Sequence, residues 1–201
     1  MQLWTVQSIE WYNELLKNGI IQGERKHITT DWEFSLLGYH WLMNKMDEKI
    51  GKRPFPECFP VWAWYQYTDS NKRKPDLRST GFLPKGTKGV RIEINKNEND
   101  VLLSDFMLWS IPFGYQSFIG QNEEESEAFE KMLERKGFDK KNIGKLPKGI
   151  QTEIIKSWDK VLDLDFDAPY HTSPKDNKAI QATFWTLSLN EVIKVDDFVA
   201  R

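Results

Sequence analysis

The chain has 201 residues, a formal net charge of −2, and 39% hydrophobic against 29% charged residues. A chain of that length can bury a core without a metal or disulfide staple, and its near-neutral charge lacks the basic field of a general nucleic-acid binder. The one cysteine, Cys58, cannot close an internal disulfide, which points to a reducing compartment. No apolar run approaches the ~20 residues of a membrane helix, and Met1-Gln2-Leu3-Trp4-Thr5 has neither the basic nor the apolar part of a signal peptide. The expectation is a cytoplasmic protein with no membrane partner. Nine tryptophans are the compositional oddity, because an indole is large and brings an N–H that needs a partner when buried.

In chain order, residues 3–7 predict a short first strand. Ser8 can N-cap a helix through Leu16, with Gly19 at the position where a left-handed residue ends helices; Ile9, Tyr12, Leu15 and Leu16 form its apolar stripe. Thr30 and Glu33 have capping-box spacing. Phe34, Leu37, Trp41, Leu42 and Met46 then recur at helical spacing, which predicts one amphipathic helix over 31–50. After Pro54, Pro56 and Pro60, residues 61–67 carry apolar bulk on both faces and predict an interior strand. Residues 69–74 are a polar loop. Residues 89–95 alternate, with Val90, Ile92 and Ile94 on one face and Arg91 and Glu93 on the other. Residues 101–105 form another short strand.

Asn122 can cap a helix over 123–136, closed by Gly137, and 148–162 predict a second late helix with Ile150, Ile154, Ile155, Trp158 and Val161 inward. Residues 163–178 read as a polar loop and 180–187 as a strand. Ser188 and Glu191 can cap a single turn before 192–195 re-enter the sheet. The expected fold is α+β: a single domain over 1–201 with a central, mostly antiparallel, twisted sheet flanked by helices. Residues 112–178 are a candidate helical insertion within it.

Few segments carry recognisable chemistry. His27, His40 and His171 are scattered, so no metal is expected, and His40 reads as a satisfied histidine at a packing interface. Cys58 reads as inert. Lys85-Gly86-Thr87-Lys88 lacks phosphate-loop spacing and reads as a hairpin turn. Trp62 and Trp64, two apart on a strand, put both indoles on one face. Such a pair stacks on a base or nicotinamide ring, cages a cation, or packs under the long helix. Arg78 offers a rigid fork for a phosphate, or for the carboxylate of Asp76 or Asp105. Arg91 and Glu93 either pair with neighbours or line a pocket. Ser104-Asp105 suits a turn or cap. Gln181 and Thr183 share a strand face with Trp185, where amide and hydroxyl are either satisfied internally or presented to a ligand.

Several of these segments together resemble an uncharacterised bacterial family, domain of unknown function 3841. The resemblance rests on Leu3-Trp4-Thr5-Val6-Gln7, Trp62-Ala63-Trp64-Tyr65, Pro75-Asp76-Leu77-Arg78, Arg91-Ile92-Glu93, Leu102-Leu103-Ser104-Asp105-Phe106, Ser157-Trp158, Ile180-Gln181-Ala182-Thr183-Phe184-Trp185 and Ala200-Arg201. It runs nearly end to end and implies no mechanism. The opening strand, helix and Gly19 also look like the start of ADP-ribosyltransferase-like domains, in which a His or Arg on the first strand holds NAD. Gln181-Ala182-Thr183-Phe184 is similar to the late Gln-Ala-Glu-Phe strand of DNA-modifying members, whose Glu is catalytic. Here Trp4 and Thr5 stand in the first region and Thr183 replaces the Glu, so a divergent enzyme of that type would draw its carboxylate from Glu93, Asp105 or Glu191.

The functional expectation is a binding module for a nucleotide-like ligand such as NAD or ADP-ribose. Its aromatic-lined cleft would be drawn from Trp4, Thr5, Gln7, Trp62, Trp64, Arg78, Arg91, Glu93, Asp105, Gln181, Thr183 and Trp185. The alternatives are a divergent ADP-ribosyltransferase-type enzyme, a reader of modified or flipped bases, and a protein–protein adaptor that uses exposed tryptophans. Nucleic acid is not favoured by the charge, and the oligomeric state is left open.

Overall fold

The computed structural model describes residues 1–24, 32–139 and 142–201, apart from the side chains of 32–35. Its elements are β1 (Gln2–Ser8), α1 (Ile9–Asn18), β2 (Ile20–Gln22), α2 (Trp32–Lys49), β3 (Val61–Gln66), β4 (Lys88–Asn95), β5 (Leu102–Asp105), α3 (Glu123–Arg135), α4 (Lys148–Ser157), β6 (Ile180–Phe184), β7 (Thr186–Ser188) and β8 (Val192–Val199). The fold is α+β. The chain forms two compact units. The first comprises Met1–Ile28, Met43–Leu103 and Ile180–Arg201, the second Thr29–Leu42 and Ser104–Ala179.

The first unit is built on a six-stranded sheet of order β5-β6-β3-β1-β4-β8. The pairings of β1 with β3 and β4, of β3 with β6 and of β4 with β8 are all antiparallel. Because side chains alternate along a strand, one sheet face collects Leu3, Ala63, Val90, Ile92, Ile94, Ala182 and Phe184, which bury against Trp11 and Leu15 of α1. Ser8 caps α1 by accepting from the Trp11 backbone N–H at 3.3 Å. Gly19 ends the helix at φ 73°, with its N–H bonded to Leu15 O; a Cβ would strain that left-handed conformation. β3 lies inside the sheet, as its two-sided apolar sequence implies.

Several local expectations change. The strand over 180–187 breaks: β6 ends at Phe184, and Thr186–Ser188 pairs instead with β2 in a separate two-stranded sheet, Leu187 opposite Ile21. β3 begins at Val61, the partner of Phe184, so β6 has no neighbour on that side beyond Phe184 and the chain turns at Trp185. The last strand runs to Val199 rather than stopping at 195. His40 is exposed rather than at an interface, because positions 40 and 44 form the solvent stripe of α2 between buried Tyr39, Trp41, Leu42 and Met43. The turn at Gly86, where Thr87 N donates to Pro84 O, leads into β4 without a partner strand before it among the described residues, so it is not a hairpin. The capping-box pair Thr30 and Glu33, and His27, fall outside what is described.

The second unit holds an aromatic core. Trp41 meets Trp109 and Trp158 edge-on at centroid distances of 5.8 and 5.9 Å, and Phe113 stacks on Trp109 at 4.7 Å. Trp109 Nε1 donates to Ser104 Oγ and Trp158 Nε1 to Ser117 O. Asn122 caps α3 through the Glu125 N–H. The second late helix is α-helical only to Ser157 and continues as a tighter 3-10 turn over Trp158–Leu162. Ser157 Oγ donates back to Ile154 O and accepts from Ile119 N, a back-bond that bends helices. Lys178, Asp105 and Thr172 are buried together, and Lys178 Nζ reaches Asp105 Oδ2 at 2.7 Å.

Candidate functional site: the tryptophan face of the sheet

The face opposite the apolar core is aromatic and polar. Strand register places Gln181 beside Trp64, Trp64 beside Trp4, Trp4 beside Glu93 and Glu93 beside Lys194, one row across β6, β3, β1, β4 and β8. Directly opposed residues of an antiparallel pair project to the same side, so these five side chains share a face. Trp62 and Thr183 form a neighbouring pair, and Val6, Arg91 and Asp196 a neighbouring row.

Trp62, Trp64, Glu93 and Gln181 are half-buried. Among the described residues the Gln181 side-chain amide has no hydrogen-bond partner. Trp4 is more enclosed, and its Nε1 donates to Glu93 Oε2 at 3.3 Å while Gln2 Nε2 donates to Glu93 Oε1 at 2.6 Å. The Arg73 guanidinium lies 4.3 Å from the Tyr65 ring centroid and 5.7 Å from that of Trp4. Trp64 meets Tyr67 edge-on at 5.0 Å, and Tyr67 leans on Phe82 at 5.5 Å. Rings beside a fixed guanidinium form a surface suited to flat, electron-rich groups. Arg91 donates to Pro75 O and, at 2.6 Å, to Asp196 Oδ2. That bond, with a second from Lys194, holds the Asp196 carboxyl well below the usual carboxylate range.

The other expected residues are placed differently. Thr5 lies on the core face, fully buried, donating to Trp62 O at 2.8 Å and accepting from Gln7 Nε2 at 2.8 Å. Thr183 is on the tryptophan side but fully buried, its hydroxyl on Leu102 O at 3.3 Å. Trp185 sits past the end of β6 with Nε1 on Gly51 O at 2.8 Å and Arg53 over its ring. Arg78 is exposed and grips Asp76 through both Nε and Nη2, so its fork is already filled by a carboxylate. Asp105 is buried within the second unit, on Lys178 and Thr172, with its other oxygen accepting from Met107 N. Of the three carboxylates that could replace a Glu at position 183, Glu93 is the one on this face; Glu191 is engaged with Lys96 and with the Ser188 N–H.

Lys74, Arg73, Lys194 and Asp196 are the site neighbours that sequence reasoning missed. Arg73 and Lys74 sit in a charge run that looks like an ordinary solvated loop, and Lys194 and Asp196 become neighbours of Arg91 and Glu93 only through strand register. Cys58 takes no part. It is fully buried, and burial pushes its thiol up to about 11 against a weaker opposing effect of Arg53. Iodoacetamide at pH 8 is expected to leave Cys58 unmodified in the folded protein and to alkylate it fully in 6 M guanidinium, as read by mass spectrometry. Rapid native labelling would contradict this placement.

The family model described as Domain of unknown function (DUF3841) matches residues 2–193. The chain belongs to that family. It matches no curated protein and no solved structure, so the likeness to ADP-ribosyltransferase-like domains rests on its two short motifs alone. Among the described residues of this DUF3841 chain, no helix is long and apolar enough to cross a membrane.

Proposed function

We propose that this DUF3841 chain is a cytoplasmic binding module that takes a nucleotide-like ligand, of the NAD or ADP-ribose kind, on the tryptophan face of its sheet. The observation that carries this reading is the row Gln181, Trp64, Trp4, Glu93 across four adjacent strands on the side away from the apolar core. Each part suits a piece of such a ligand. The half-buried rings of Trp62 and Trp64 offer stacking surface, worth about 1–3 kcal/mol per base. The Gln181 amide carries both donor and acceptor for a base edge. Glu93 is positioned to accept from ribose hydroxyls. The two regions singled out by the ADP-ribosyltransferase likeness, at Trp4 and at Thr183, also fall on one face of one sheet with only β3 between their strands.

Titration with NAD, ADP-ribose and AMP, followed by tryptophan fluorescence and calorimetry, tests the reading. Saturable quenching with heat is expected for at least one of them. Neither heat nor a fluorescence change with any of the three contradicts it.

One observation favours a second reading, a divergent ADP-ribosyltransferase-type enzyme. The Glu93 carboxylate stands beside Trp4 on this face, where it can stabilise positive charge that develops on a ribose. Release of nicotinamide from NAD, lost in Glu93→Gln, is the expected result under that reading; no release with protein or nucleic-acid acceptors removes it.

A further inference from the structure

Asp196 gathers three cations at the edge of the tryptophan face. Arg91 Nη2 lies 2.6 Å and Lys74 Nζ 3.4 Å from its Oδ2, and Lys194 Nζ lies 3.0 Å from its Oδ1. Three cations thus contact this one carboxylate, while Glu93 faces Lys194 across β4 and β8. Glu93 and Asp76 carry the neighbouring negative charges, and their oxygens are hydrogen-bonded to Trp4 and Gln2 and to Arg78 rather than to Lys74 or Lys194. A single structural carboxylate needs one good partner, and added like charges repel one another.

The cations also differ in freedom. The Arg91 side chain is 13% exposed and fixed between Asp196 and the Pro75 carbonyl, whereas Lys74 and Lys194 are 38% and 58% exposed. Two more exposed ammoniums thus share the Asp196 carboxylate with a fixed guanidinium. A flexible ammonium serves as a point charge for phosphate, and a guanidinium serves as a rigid one. The cluster is continuous with the tryptophan row. Arg91 is two residues from Glu93 on β4 and opposes Val6, which is two residues from Trp4 on β1. The diagonal from Trp4 to Arg91 is about 7–8 Å, and Asp196 lies one strand further, about 5 Å on. That is the direction in which a ribose would carry phosphates away from a base stacked on the tryptophans.

We infer that Lys74, Lys194 and Arg91 form the seat for the diphosphate of a nucleoside-diphosphate ligand, with Asp196 holding the cations in place until the phosphate oxygens take them over. The role that the sequence suggested for Arg78 moves to this cluster. The inference rests on the nucleotide reading of the face, and it assigns the ligand class there: a base and ribose on the tryptophans, a diphosphate on the cations.

Calorimetry with adenosine, ADP and inorganic pyrophosphate, on the wild-type chain and on Lys74→Gln/Lys194→Gln, tests it. ADP is expected to bind at least tenfold more tightly than adenosine at low salt, and pyrophosphate to bind on its own. The double variant should bring ADP to within twofold of adenosine and abolish pyrophosphate binding, with adenosine affinity and Tm unchanged. Lys194→Gln alone, the more exposed position, should give a smaller loss in the same direction. Equal binding of ADP and adenosine by the wild type, or an ADP advantage that survives the double variant, overturns the diphosphate seat and leaves the base site standing. Pyrophosphate binding that the variant loses, without any adenosine binding, keeps the seat and removes the nucleotide reading. No binding of any probe removes both.

Discussion

Lys178→Met is expected to destabilise the protein by roughly 3–5 kcal/mol, the range for stranding one partner of a buried ion pair. Lys178 and Asp105 are both fully buried. Lys178 Nζ uses all three of its donors, on Asp105 Oδ2 at 2.7 Å, Phe166 O at 2.9 Å and Thr172 Oγ1 at 3.0 Å. The Thr172 hydroxyl and the Met107 N–H also donate to Asp105. Every polar atom of the group is thus satisfied, which is what makes a buried charge tolerable. Methionine fills similar volume but leaves the carboxylate with two neutral donors and no cation. The double change Lys178→Met/Asp105→Asn removes the stranded charge and keeps an acceptor for Met107 N, so it should recover a large part of the loss. Urea denaturation followed by tryptophan fluorescence measures both, since Trp41, Trp109 and Trp158 lie in the same unit. A loss under about 1 kcal/mol for the single variant would be the value of an exposed pair and would contradict this account of the network.

The second large effect concerns the ligand. Trp64→Ala should weaken binding of an adenine nucleotide by roughly tenfold to a hundredfold, since one base–aromatic stack contributes about 1–3 kcal/mol. Trp64 stands at the centre of the row, with Gln181 on one side and Trp4 on the other. Trp64→Phe keeps a ring and should restore most of the affinity. Trp185→Phe is the control. Its indole is spent on Gly51 O, so it should cost a little stability and leave the affinity alone. Equal losses at Trp64 and Trp185 would place the effect in folding rather than in the site.

Short-range features of this fold were legible in the sequence. The Ser8 cap and Gly19 stop of α1, the Asn122 cap of α3, the inward Val90, Ile92 and Ile94, and the Ser188–Glu191 capping box all stand where the sequence implies. Each is encoded by residues within a few positions of one another, so spacing alone reveals it. β2 was not legible, because three residues carry no readable period. The break at Trp185 depends on Ile21 and Gly51, far away in the chain, and no local signal marks it.

The site shows the same division. That Trp62 and Trp64 share a face follows from the period of a strand. That Trp4 joins them, and that Glu93 receives its indole N–H, depends on pairings between residues 60 and 89 positions apart, which are matters of register. From the sequence, Arg78 was open to a phosphate or to the carboxylate of Asp76 or Asp105. The structure gives that carboxylate the guanidinium and gathers the remaining cations around Asp196.

A nucleotide-like ligand on the tryptophan face of the sheet, and not at the packed indoles elsewhere, is read most directly by NMR. Indole N–H resonances of 15N-labelled protein, titrated with ADP-ribose, report on each tryptophan separately. Progressive, saturable shifts are expected for Trp4, Trp62 and Trp64, with Trp11, Trp41, Trp109 and Trp158 unmoved. No indole shift at saturating ligand, or shifts confined to the packed indoles, would contradict it.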